Sequence, residues 1–324
     1  LPRSDLCIGT NFTSNLCINT KVESNLCLDD SVLSVLTIDL IAVGDDPRGL
    51  AFDSLNKRMY VVNSFDDTVS IIDVQTDIVI DTVAVGNNPI GIAFDSLNKR
   101  MYVINSLDNT VSVIDVLTNT VTDVIGVGGN PIGIAFDSFN NRMYVVSFFD
   151  DIAEVIDVLT NTVTDVITIQ ANSRGIAFDS LNNRMYVTSF FNNVEVIDVL
   201  TNTVTDIIGV GGNPIGIAFD SFNNRMYVSN TSDNNVSVID VSTNTVTDVI
   251  GVGNSPRGLA FDSSNNRMYV TNFLDDTISL IDVLTNTVTD TITVGLGPID
   301  IAFDSFNNRM YVTNFSDNTV SVIF

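Results

Sequence analysis

The sequence predicts an all-β fold, a seven-bladed β-propeller of four-stranded blades, on three observations. First, a unit of about 42 residues is written seven times. The phrase "AFDS" places Phe52, Phe94, Phe136, Phe178, Phe219, Phe261 and Phe303 at spacings of 42, 42, 42, 41, 42 and 42. Second, each unit holds four short apolar runs separated by turn signals, the pattern of an all-β repeat. Third, the last unit stops one run short, and a matching run precedes the first unit.

Residues 130–168 serve as the type unit. "IGIAFD" (132–137) reads as a first strand, with Ile134 and Phe136 on one face and Gly133 and Ala135 on the other. "DSFNNR" is a turn rich in Asp, Ser and Asn. "RMYVV" (142–146) is a second strand, apolar on both faces. "AEVIDV" (153–158) and "VTDVITI" (163–169) are the third and fourth, joined by "LTNT". The alternation predicts that the bulky face of one blade sits on the Gly/Ala face of the next. No window carries capped helical periodicity.

The ends predict a closed ring. "TIDLIAVGDDP" (37–47) matches "TDVIGVGGNP" (122–131), with Asp39 in the place of Asp123 and Gly44 in the place of Gly128. The N-terminal strand should therefore complete the last blade and remove an open sheet edge. This divides the chain into an arm (1–34) and a propeller (35–324).

The arm holds three decapeptides, "SDLCIGTNFT", "SNLCINTKVE" and "SNLCLDDSVL", which carry all the cysteines: Cys7, Cys17 and Cys27. An odd number cannot all pair within one chain, and outside the cell that favours a bond between chains. These three are the expected cross-linking residues, and a homo-oligomer or filament built through the arm is the expected assembly.

Composition narrows the chemistry. The chain of 324 residues has 14 basic and 39 acidic side chains, a net charge of −25, and no histidine. Such a surface repels nucleic acid and anionic membrane. The missing histidine excludes His-based triads and most zinc or copper sites. No apolar stretch is long enough for a membrane span. Pro2, Arg3 and Asp5 do not read as a signal peptide. No metal or cofactor is expected. The "AFDS" aspartates and the "DNT" or "DDT" turns lack calcium-loop spacing and read as side chains that bind their own turn.

The segments "MYVTNFLDDTISLIDVLTNTVTDTITVG" (268–295) and "MYVTNFSDNTVSVI" (310–323) resemble the YVTN family of β-propeller repeats. Asn63, Asn105, Asn230, Asn272 and Asn314 fall on the motif asparagine, while Ser147 and Ser189 depart from it. The family is similar to archaeal surface-layer proteins and to secreted bacterial propellers. The resemblance implies an extracellular or cell-surface scaffold or binding domain, contacting other surface proteins or glycans. It does not imply an enzyme, and no catalytic residue is expected.

Three places could carry function. The residue two before each "IAF" or "LAF" is Arg48, Ile90, Ile132, Arg174, Ile215, Arg257 or Ile299. In a propeller this ring lies near one channel mouth, where Arg48, Arg174 and Arg257 could hold an anion or a negatively charged partner, so the alternative to a surface scaffold is a small-ligand binding module or an enzyme that uses this mouth. Loops on that face carry Phe65, Leu107, Phe148, Phe149, Phe190, Phe191, Phe273 and Phe315. Of these, Phe148, Phe149, Phe190 and Phe191 are the expected partner contacts, against the alternative that they pack inward. Units three and four also break symmetry together. Glu154 and Glu195 stand where other units have serine, and solvated strand positions are the expectation for them. Sequons occur at Asn11, Asn230, Asn235 and Asn314.

Overall fold

The computed structural model describes residues 16–19, 25–28 and 38–324. Residues Ile38–Ile323 form one compact unit. It consists of seven four-stranded antiparallel sheets arranged as the blades of a propeller. Blades 1 to 6 span 47–84, 89–126, 131–168, 173–209, 214–251 and 256–293, and blade 7 begins at Pro298. In blade 3 the strands are Pro131–Asp137, Arg142–Ser147, Ile152–Asp157 and Thr162–Thr168, each paired with the next. Val158 and Ile169, expected as strand ends, lie just beyond. Their N–H groups donate instead to turn carbonyls, Asn141 O at 3.2 Å and Asp151 O at 3.0 Å.

Blade 7 is closed as the sequence predicts. Its strands Pro298–Asp304, Arg309–Asn314 and Thr319–Ile323 are completed by Ile38–Ala42. Asp39 lies opposite Val322, just as Asp123 lies opposite Val113 in blade 2.

The core lies between blades, because a sheet with two apolar faces must bury both. In "RMYV" the adjacent Met and Tyr point to opposite faces. Tyr144 therefore packs in one cluster with Met185 of the next blade, and Met143 in another with Tyr102 of the preceding blade. The seam between blades 7 and 1 repeats this with Tyr311 and Met59. Ile134 and Phe136 join the cluster toward blade 2 and Ala135 the cluster toward blade 4, as the alternation predicts. The outer strands bury little: Thr162–Thr168 has one buried residue, Ile167.

The turns explain the abundance of Asn and Asp. Most hold one of these residues at a φ of 50–64°, a conformation they tolerate better than other side chains do. The buried "AFDS" aspartates bind their own turns. Asp137 Oδ1 accepts from the N–H of Phe139 and Asn140, and its Oδ2 accepts from Asn140 Nδ2 at 2.7 Å.

The seams also carry a polar clasp. Tyr102 Oη donates to Asn161 Oδ1 at 2.9 Å and Arg100 Nη1 to Val158 O at 2.9 Å, both in the next blade. Asn161 Nδ2 then donates back to Asp123 at 2.9 Å. At the closing seam Asp77 replaces the asparagine. It takes Arg309 Nη1 at 2.7 Å and Tyr311 Oη at 2.6 Å.

In the arm, Leu16–Asn19 and Asn25–Leu28 pair as an antiparallel hairpin with Cys17 opposite Cys27. Cys7 lies outside the described residues. Among the described residues no helix is long and apolar enough to cross a membrane.

Candidate functional site

Seven innermost strands line the central channel, and their backbones approach closely. A Cβ on Gly91 would sit 2.8 Å from Ile132 O, and one on Gly258 would sit 2.7 Å from Ile299 O. Glycine at this position lets neighbouring strands touch. In blades 4 to 7 the contact is clipped by a hydroxyl from the second strand. Thr271 Oγ1 accepts from Gly258 N at 2.9 Å and donates to Ile299 O at 3.0 Å. Thr188, Ser229 and Thr313 act likewise, whereas blades 1 to 3 have Val62, Ile104 and Val146 there. The sequence reading missed this role of the residue before the motif asparagine.

Above the glycines, the predicted ring of Arg48, Arg174, Arg257 and four isoleucines lines one cavity of about 470 Å³. The arginines differ. Arg48 is held by Asp46, with Nη2 to Oδ2 at 3.1 Å, and lies over the Phe315 ring at 5.4 Å. Arg174 lies over Phe148 at 5.6 Å and Arg257 over Phe273 at 3.7 Å. Among the described residues neither makes an ion pair, and the Nε of each is buried with no hydrogen-bond partner. Burial first, then the like charges of Arg48 and Arg174, hold the Arg257 guanidinium below its usual range. Burial lowers Arg174 in the same direction. An anion placed here would relieve both the missing hydrogen bonds and the repulsion.

The fourth charged group of the cavity was not singled out from the sequence. Asp300 occupies the position that is glycine in the other six blades (Gly49, Gly91, Gly133, Gly175, Gly216 and Gly258). Its Oδ1 accepts from Ile301 N at 2.9 Å, and its Oδ2 from Leu50 N across the closing seam at a long 3.4 Å. Burial pushes its carboxyl up to about 6. "GPIDIAF" beside six copies of a glycine-containing form was the available signal.

The loop phenylalanines divide into two sets. Phe148, Phe273 and Phe315 are partly buried and support the three arginines. Phe65, Phe149, Phe190 and Phe191 are exposed. The Phe148–Phe149 and Phe190–Phe191 pairs meet edge to face at 5.7 and 6.2 Å.

Glu154 and Glu195 correct the expectation of solvated positions, since both are buried. In blade 2, Gly86 N donates to Asn105 Oδ1 at 3.1 Å, and Asn105 Nδ2 donates to Ser112 at 2.9 Å. In blade 3, Gly128 N donates to Glu154 Oε2 at 2.7 Å, and Ser147 donates to the same oxygen at 2.8 Å. Asn with Ser has become Ser with Glu, and the acceptor has moved to the neighbouring strand. Glu195 takes Gln170 N in the same way at 2.7 Å, and burial raises its carboxyl. The symmetry break in blades 3 and 4 is thus compensated locally. The motif asparagines are also buried, with Asn230 and Asn314 donating inward to Ser237 and Ser321, which closes those two sequons to glycan attachment. Among the described residues no group of three or more His, Cys, Asp or Glu could hold a metal.

Comparison with known proteins supports the architecture. Residues 212–323 match the family model of a YNCE-like beta-propeller, consistent with a YVTN-type repeat propeller. No curated protein matches the chain. Among solved structures, the fold is similar to a chain of Kuenenia stuttgartiensis hydrazine synthase, with a TM-score of 0.77 and 18% identity. The match covers 90% of this chain and 97% of that one. At this identity the likeness speaks to the fold alone.

Proposed function

We propose that the propeller is a non-enzymatic binding module that holds a small anionic ligand, or an anionic group of a partner, at the channel mouth. One observation carries this reading: Arg174 and Arg257 present buried, unpartnered guanidinium nitrogens beside a cavity of about 470 Å³. Leaving such groups unpaired costs stability, and among the described residues neither arginine has an ion-pair partner. The cavity is the size of an ordinary small-molecule site. The test is calorimetric titration of the propeller with succinate at low and high salt. Binding that weakens with salt and is lost in the Arg48→Ile/Arg174→Ile/Arg257→Ile variant supports the reading. Equal titration curves for the two proteins contradict it.

A second reading concerns display. The propeller sits at the cell surface or outside the cell, joined to other copies or to surface proteins through the arm. The odd count of three cysteines favours it, since at least one thiol cannot pair within the chain and is left for another copy. Non-reducing electrophoresis of native material should then show multimers that collapse with reductant and vanish when Cys7, Cys17 and Cys27 are all replaced by serine. Monomer in every lane, with free thiols by mass spectrometry, removes this reading.

A further inference from the structure

The arginines explain why an anion should bind, but they do not explain Asp300. A carboxylate beside an anion site weakens it, and a side chain at this position breaks the glycine ring. Six blades keep glycine where a Cβ would collide with the next strand. Among the described residues the seventh carries the only acidic side chain that lines either channel cavity, the mouth of about 470 Å³ or a neighbouring one of about 180 Å³. Asp300 borders both.

Its internal partners do not account for it. One backbone N–H comes from its own neighbour and the other is 3.4 Å away. An ionised carboxylate has about four acceptor positions, so part of its capacity is left facing the channel. Among the described residues it forms no ion pair with the three arginines, so the opposite charges remain apart across the cavity. The raised carboxyl pKa has the same cause: Asp300 is desolvated and incompletely satisfied.

We propose that Asp300 is the second half of the site, and that its ligand is a small organic anion that also carries a hydrogen-bond donor. The negative end rests on the arginines, and a hydroxyl or ammonium group on the same molecule donates to the Asp300 carboxylate. This rests on the anion-site reading and narrows the class of ligand. A site that must satisfy a half-buried acceptor disfavours an analogue lacking the donor.

Succinate and malate differ by one hydroxyl and form a matched pair of probes. Both are titrated into wild type and into Asp300→Gly, which restores the glycine of the other six blades. Wild type should prefer malate by about tenfold, the worth of one hydrogen bond to a charged group. Asp300→Gly should bind the two equally, and should bind succinate at least as tightly as wild type, because a negative charge has gone. Asp300→Ala, which keeps the Cβ that wild type already has and removes the acceptor, reports the same ratio should the glycine variant fail to fold. A wild type without preference, or a glycine variant that retains it, overturns this inference and leaves the anion site intact. Absence of binding by either acid to wild type overturns both.

Discussion

The seams between blades and the mouth of the channel are built from the same repeats and treat symmetry in opposite ways. At the seams, Tyr packs against Met and at six junctions clasps the next blade's turn, and where Asp77 stands for asparagine it still receives the same tyrosine and arginine; only Tyr269, facing blade 7, makes no such clasp among the described residues. At the mouth, equivalent positions carry Arg in three blades and Ile in four, and Gly in six and Asp in one. The seam change and the Glu154 and Glu195 changes each come with a partner that restores the hydrogen bonds. The mouth changes leave guanidinium nitrogens unpaired. A broken repeat is therefore informative only after asking whether the break is repaired locally.

Removing strand Ile38–Ala42 should have the largest effect on the seam side. It strips the outer strand from blade 7 and exposes Thr319–Ile323 as an open edge. Loss of cooperative melting, or aggregation in light scattering, is expected. A well-folded monomer would mean that the ring does not depend on this closure. Next is Tyr144→Ala, which empties a fully buried site within a seam cluster. A loss of about 3–5 kcal/mol by chemical denaturation is expected.

The repaired break in blade 3 allows a sharper test. Glu154→Ser alone orphans Gly128 N and Ser147 and should cost about 1–3 kcal/mol. Adding Ser147→Asn recreates the pairing of blade 2 and should recover most of that loss. A double variant no better than the single would show that the two positions are not a coupled exchange.

The smallest stability effects belong to the mouth. Arg174→Ile and Arg257→Ile should shift stability by no more than about 1 kcal/mol, because no ion pair within the fold is lost. Asp300→Gly should stabilise the protein above pH 6. The folded carboxyl is raised to about 6 from an ordinary value of 3.8, so folding takes up protons between those values. Stability contributed at this position falls as pH rises through that window. The advantage of the glycine variant should therefore be greater at pH 8 than at pH 4, read as the difference in melting temperature.

Much of the fold was legible because the chain repeats: the Phe spacing, the Met–Tyr pair and the displaced strand 37–47 each had six copies to be read against. The arginine ring was legible for the same reason. What escaped was tertiary. Thr188 and Thr313 look like ordinary strand residues until the next blade's carbonyl is placed above them. Glu154 reads as solvated until Gly128 N is seen to need an acceptor. Asp300 escaped because it lies one residue beyond the ring that drew attention, and its meaning depends on the cavity it borders.

The decisive measurement is a crystal structure of the propeller grown with malate. Density is expected in the mouth cavity, with a carboxylate against Arg174 and Arg257 and the hydroxyl directed at Asp300. An empty mouth at saturating malate, or malate bound only elsewhere on the molecule, would contradict it.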